Sequence, residues 1–227
     1  MTVDELRVEQ LLWRGQPLGS LNLSVVSDRE SFSSEFMLPW LRGSYHQQLA
    51  APISESAADF DADLERILSI ERLDVSGIPE FENPMGDETE MALSWEPLPV
   101  TISNVYRGSN RLGGIDFTVA DLQPDRWHLT GVAGDLIGAT LLSDSQVAWQ
   151  RSQGGEVTSL ALAVEFNNLG SSLESLGVEP IVQTRGGAID IDWSWTGSPG
   201  LFDLKTVSGS MDLTMESGSF VSANAEA

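Results

Sequence analysis

Apolar and polar residues alternate along most of this chain. In GGAIDIDWSWTGSPG, Ile189, Ile191, Trp193 and Trp195 take every second place, with Asp190, Asp192 and Ser194 between them. An extended backbone therefore carries one apolar face and one polar face. The same period recurs in Leu21, Leu23 and Val25, in Ile115, Phe117 and Val119, in Leu160, Leu162, Val164 and Phe166, and in Met211, Leu213 and Met215. Each run reads as an antiparallel strand buried on one face. Turn signals such as RGQP, RGSN, QGG and TGSPG separate them, which predicts a meander of about ten to fourteen strands.

One helix is predicted near 169–176. Leu169, Leu173 and Leu176 share a face, Ser171 and Glu174 stand at capping-box spacing, and Gly177 supplies a stop. The segment 51–75 fits either period, with Leu64, Ile67 and Leu68 suiting a helix and Phe60, Ala62 and Leu64 a strand; a strand is favoured. The acidic, breaker-rich SGIPEFENPMGDETE that follows reads as a mobile loop. It divides the chain into a first β-module (1–80), a linker (81–97) and a second β-module (98–227).

An internal repeat crosses that division. LRVEQLLWRGQPLGSLNLSVV and LPVTISNVYRGSNRLGGIDFTVA share an aromatic-Arg-Gly turn and a following Leu-Gly. Trp13-Arg14-Gly15 answers Tyr106-Arg107-Gly108, and Leu18-Gly19 answers Leu112-Gly113. A repeat spaced by about ninety residues suggests stacked modules of one continuous sheet.

Composition narrows the function. Thirty-four acidic residues against twelve Lys and Arg give a net charge of −22, which repels nucleic acid and anionic bilayer surfaces. Cysteine is absent, removing disulfides, thiol catalysis and thiolate metal sites. The start MTVDELRVEQLLWRG lacks the basic region and apolar core of a signal peptide. The expectation is a cytosolic protein or an internal piece of a longer exported one.

The tryptophans set the energetic stake. A Trp buries on the order of 200 Å², so at about 25 cal/mol per Å² an indole left in water forgoes roughly 5 kcal/mol. A second sheet, a partner protein or an apolar ligand must cover that face. Alternation alone does not distinguish a barrel, a sandwich and an open trough.

The stretches WRGQPLG, YRGSNRLGGIDFTV and SSLESLGVEPIVQTRGGAIDIDWSWTGSPGLFDLKTVSGSMDLTMESGSF resemble the carboxyl-terminal region of the YhdP branch of the AsmA-like family of bacterial envelope proteins. The shared pattern is a leucine-glycine helix, a glycine-rich strand and a Trp-x-Gly-x-Pro turn, here Trp195-Thr196-Gly197-Ser198-Pro199. The resemblance implies an elongated, antiparallel, repeating β-groove with an apolar inside. It also implies a periplasmic, inner-membrane-anchored protein of a Gram-negative bacterium that carries phospholipid towards the outer membrane. The chain has no anchor helix and ends at FVSANAEA, so on this reading it is a piece of such a protein, reaching the inner membrane only through segments it does not contain and meeting adjoining modules of the full-length protein.

The expected groove lining is Leu21, Leu23, Val25, Ile115, Phe117, Val119, Leu160, Leu162, Val164, Ile189, Ile191, Trp193, Trp195, Met211, Leu213 and Met215. An acyl chain of about sixteen carbons gains on the order of 13 kcal/mol on burial against such a face, and no directional bond stops it sliding. Asp190 and Asp192 share the opposite, polar face and lack a third ligand or an ion-binding turn. Asp59, Asp61, Asp63 and Glu65 read likewise as a solvated face, and Arg14 and Arg107 as turn residues. His46 and His128 are the only histidines, and no nucleophile elbow, His pair or phosphate-cradling loop accompanies them.

The expectation is thus an all-β, non-enzymatic protein without cofactor or metal that shields phospholipid acyl chains between two membranes and binds no nucleic acid. The alternative is a structural or envelope-assembly β-sandwich module that binds protein or glycan.

Overall fold

The computed structural model describes residues 2–13, 16–49, 64–78, 96–123, 125–175, 182–203 and 205–220. Its strands are β1 (Thr2–Trp13), β2 (Gln16–Ser27), β3 (Ser31–Met37), β4 (Leu41–Leu49), β5 (Leu64–Asp74), β6 (Leu98–Arg107) and β7 (Asn110–Gln123). There follow β8 (Arg126–Leu136), β9 (Ala139–Ser152), β10 (Gly155–Phe166), β11 (Val182–Thr184), β12 (Gly187–Thr196), β13 (Ser208–Met215) and β14 (Gly218–Phe220). One helix, α1 (Leu169–Ser175), and two 3₁₀ turns, Val75–Gly77 and Pro199–Leu201, complete the elements.

Twelve strands form one sheet in the order β1-β2-β3-β4-β5-β6-β7-β8-β9-β10-β12-β13, and the short β11 and β14 pair separately. The fold is therefore all-β, with a single short helix among the described residues. Its large sheet is unclosed, as a β-groove requires, because among the described residues β1 pairs only with β2 and β13 only with β12. A sandwich needs two facing sheets of comparable size. Among the described residues the second sheet has two strands of three residues each.

Two local expectations are corrected. The pairing of β5 with β6 is parallel, Leu68 lying beside Val100 and Ile70 beside Ile102. A parallel neighbour needs a crossover of about a dozen residues or more, and the connection 75–97 is long enough; most of the expected loop lies outside the described residues. By compactness the chain groups into two units, the first comprising Met1–Asp87 and Leu98–Leu112 and the second Glu88–Pro97 and Gly113–Ala227. The helix is capped by Asn168, whose Oδ1 accepts from the Ser171 N–H at 3.2 Å. Ser171 thus lies inside the first turn, and the expected Ser171–Glu174 capping box does not form there. The segment 51–75 is strand over Leu64–Asp74; its earlier part, with Asp59, Asp61 and Asp63, lies outside the described residues, and Glu65 is exposed.

In the first unit, directly opposed residues build apolar rows across the strands. Leu6, Leu23, Phe36, Gly43, Ile70 and Ile102 make one row, and Val25, Ser34, Tyr45, Leu68 and Val100 another. Ile70, Val100, Ile102 and Val105 are its buried apolar residues. Gly43 belongs in its row because the Phe36 ring crosses it: a Cβ there would lie 3.0 Å from Phe36 Cζ and 2.6 Å from the Ser69 carbonyl oxygen. The repeat has a backbone counterpart, since Gly19 and Gly113, which answer each other in sequence, both take positive φ (100° and 144°). A side chain would be strained at either place.

The β5 end is tied to the β6 turn by one carboxylate. Asp74 Oδ1 accepts from Ser76 Oγ at 2.6 Å, from the Gly108 N–H at 3.0 Å and from the Ser76 N–H at 3.1 Å. The Arg72 guanidinium lies over the Tyr106 ring, 4.4 Å from its centroid.

Candidate functional site

The second unit carries an apolar ladder of its own. Val119, Leu129, Val147, Leu160, Trp193 and Gly209 stand in direct register across six strands. Beside that row run Leu162, Ile191 and Met211, and then Leu141, Val164, Ile189 and Leu213. Opposed residues of antiparallel strands project to one side, so these rows make one apolar lane over β10, β12 and β13.

Cover differs sharply along the lane. Trp195 is 6% exposed, whereas Met211, Leu213 and Met215 are 53%, 41% and 42% exposed. Ile189, Ile191, Trp193, Leu160, Leu162 and Val164 are half-buried.

The buried end is covered by the chain that leaves β12. Phe202 stacks on Trp193 with ring centroids 5.9 Å apart and planes at 25°, and meets Trp195 edge-on at 5.3 Å and 89°. The turn bearing it is fixed by three hydrogen bonds. Thr158 Oγ1 donates to the Gly197 carbonyl at 2.8 Å, Trp195 Nε1 donates to the Ser198 carbonyl at 3.2 Å, and the Gly197 N–H donates to the Glu156 carbonyl at 2.9 Å. Thr158 is fully buried, and in register with Trp149 and Trp195 it fills the sheet beneath. At the other end the Phe166 ring, 5% exposed, lies over Gly187, where a Cβ would come 2.5 Å from Phe166 Cζ.

Of the expected lining residues, those on β10, β12 and β13 come together directly, and Val119 joins them through Leu129 and Val147. Ile115 pairs with Gly134 further along β7, and Phe117 falls at a register shift in β7. Leu21, Leu23 and Val25 are half-buried on β2, in the first unit. Leu129, Val147 and Leu141 were not among the expected residues, although Trp127/Leu129 and Val147/Trp149 alternate in the sequence. Phe202 follows a turn and shares no period with the strands.

The polar faces differ in chemistry. In the second unit Asp144, Asp190, Asp192, Ser210 and Asp212 edge a hollow of about 200 Å³, and Asp190 stands directly opposite Asp212. Among the described residues no group of three His, Asp or Glu is placed to hold a metal ion. In the first unit a depression of about 530 Å³ is lined by Asn22, Ser24, Glu35, Arg42, Ser44 and Glu71 among others, with Arg42 Nε 3.0 Å from Glu71 Oε2.

Among the described residues three carboxyl groups are held below the usual carboxylate range, each at or close to a turn. For Asp28 the cause is acceptance from the backbone N–H groups of Glu30 and Ser31, and then from the Ser31 hydroxyl. For Asp74 it is the Ser76 hydroxyl and then the Gly108 N–H, and for Asp121 the hydrogen bond from Arg126. His128 Nε2 lies 3.1 Å from Gln146 Oε1 and His46 is exposed on β4. The two belong to different units. Arg107 is exposed, and Arg14 lies outside the described residues.

No helix among the described residues is long and apolar enough to cross a membrane. Comparison with protein families, with curated proteins and with solved structures gives no match to this chain.

Proposed function

We propose that this chain shields the acyl chains of phospholipids, as a non-enzymatic segment of a periplasmic bridge between the inner and outer membranes. The observation that carries the reading is the lane on β10, β12 and β13. Its apolar side chains stand in register, its β13 members are 41–53% exposed, and the described residues contain no second large sheet to cover it. An acyl chain supplies the missing apolar layer, while its headgroup stays in water at the open flank. Adjoining modules of a longer protein would pass lipid to it. The sequence resemblance to the AsmA-like family supplies the cellular setting of the proposal.

The test is native mass spectrometry of the purified chain after expression in the periplasm, with organic extraction of whatever accompanies it. Co-purifying phospholipid that disappears in the Ile191→Asp variant is the expected result, because a carboxylate in the lane would have to be desolvated against the acyl chain. A lipid-free wild type, or lipid retained in the variant, refutes it.

A second reading rests on the first unit. Its depression of about 530 Å³ combines serines, Asn22 and charged groups with Leu23, Phe36 and Met37, a mixture that suits a protein or glycan partner. Binding of such a partner that is abolished by Glu35→Ala with lipid absent would favour it.

A further inference from the structure

We infer that Phe202 is an end wall that limits the length of acyl chain the lane can hold; this rests on the lipid reading above. The two ends of the lane are closed by aromatic rings and its β13 flank is not. Beyond Trp193 the path is stopped by Phe202, and behind Phe202 the sheet is filled by Trp195, Trp149 and Thr158, at 6%, 6% and 0% exposure. At the opposite end Phe166 lies over Gly187. Between these walls the free positions on β12 are Ile189 and Ile191.

The spacing agrees with a single chain. From Trp193 to Ile189 is four residues, about 14 Å at ~3.4 Å per residue, and to Gly187 about 20 Å. One leaflet of a bilayer occupies half of a hydrocarbon core of roughly 30 Å, so an ordinary acyl chain reaches about 15 Å. A chain of that reach lies between the walls, whereas a substantially longer one meets the Phe202 ring.

The two walls are built differently. Phe166 is an integral, buried strand residue. Phe202 is 45% exposed and belongs to a turn whose hydrogen bonds run through Gly197, Ser198 and Trp195 rather than through Phe202 itself. Removing its ring lengthens the lane over the exposed face of Trp193 and leaves the anchoring of the turn in place.

The experiment uses the whole chain. An environment-sensitive fluorescent fatty acid is bound and then displaced by lauric, palmitic and arachidic acids, for wild type, Phe202→Ala and Phe202→Trp. While added carbons can be buried, each strengthens binding roughly fourfold. The wild type is expected to gain affinity from lauric to palmitic acid and little or nothing from palmitic to arachidic. Phe202→Ala is expected to keep gaining through arachidic acid, and Phe202→Trp to retain the wild-type plateau. Wild-type binding that rises steadily to arachidic acid, or a plateau unchanged in a folded Phe202→Ala, overturns the end wall and leaves the lipid reading standing. Failure of the wild type to bind any of the acids overturns both.

Discussion

Trp195 and Met211 lie on the same face of neighbouring strands, yet truncating them should cost very different amounts. Trp195 is 6% exposed, its indole N–H donates to the Ser198 carbonyl, and its ring meets Phe202 edge-on. About 200 Å² of indole at ~25 cal/mol per Å² amounts to roughly 5 kcal/mol, and Trp→Ala in a core costs about 3–5 kcal/mol. Met211 is 53% exposed, so about half of the 1.5–3 kcal/mol that full burial of a Met provides is available to lose, roughly 1 kcal/mol. Urea unfolding of delipidated Trp195→Ala and Met211→Ala, followed by far-ultraviolet circular dichroism, should therefore separate the two by about 2–4 kcal/mol. Midpoints are comparable only if both variants keep the wild-type slope. Equal losses would refute the reasoning, because they would mean that Met211 is as fully covered in solution as Trp195 and that no uncovered lane exists.

Two further outcomes are expected. Asp74 has its folded-state pKa lowered by the Ser76 hydroxyl and then the Gly108 N–H, so the tie it makes is fully present above the unfolded value of about 3.9 and is lost as pH falls through the lower folded value. The Gly108 amide resonance should titrate with a midpoint below that of a free Asp, and an unchanged resonance through that range would contradict the tie. Asp212→Asn removes a like-charge pair with Asp190 directly across the β12–β13 ladder and should stabilise the protein by about 0.2–1 kcal/mol. The gain should shrink as salt is added; a loss of stability, or a gain indifferent to salt, would show that the two carboxylates do not repel across the ladder.

Period-two alternation made the strands legible, because a strand with one buried face must write that face into every second residue. The rows of β10, β12 and β13 follow from it directly. Pairing direction is not written in the same way: nothing local in LERILSIERLD distinguishes a parallel neighbour from an antiparallel one, and the choice for β5 rests on a crossover far along the chain. The helix was legible from its leucine spacing, whereas its cap was not; Leu176 and the expected stop at Gly177 lie outside the described residues. Ser171 and Glu174 have the spacing of a capping box, but the chain enters the helix three residues earlier, where Asn168 reaches the Ser171 N–H. Phe202 escaped the pattern because its partners are brought to it by a turn. The exposure of Met211, Leu213 and Met215 was equally hidden, since alternation marks an apolar face and is silent about what lies upon it.

The consecutive strand order has an evolutionary consequence. In the large sheet each strand sits beside its predecessor in sequence, apart from the excursion through α1 and β11 between β10 and β12. Adding a hairpin to such a sheet asks for no rethreading of the existing chain, so duplication of a short coding segment can lengthen it while earlier strands keep their partners. The matching sequences around β1–β2 and β6–β7, with their aromatic-Arg-Gly triplets and following Leu-Gly pairs whose glycines, Gly19 and Gly113, both take positive φ, are what one such duplication would leave behind.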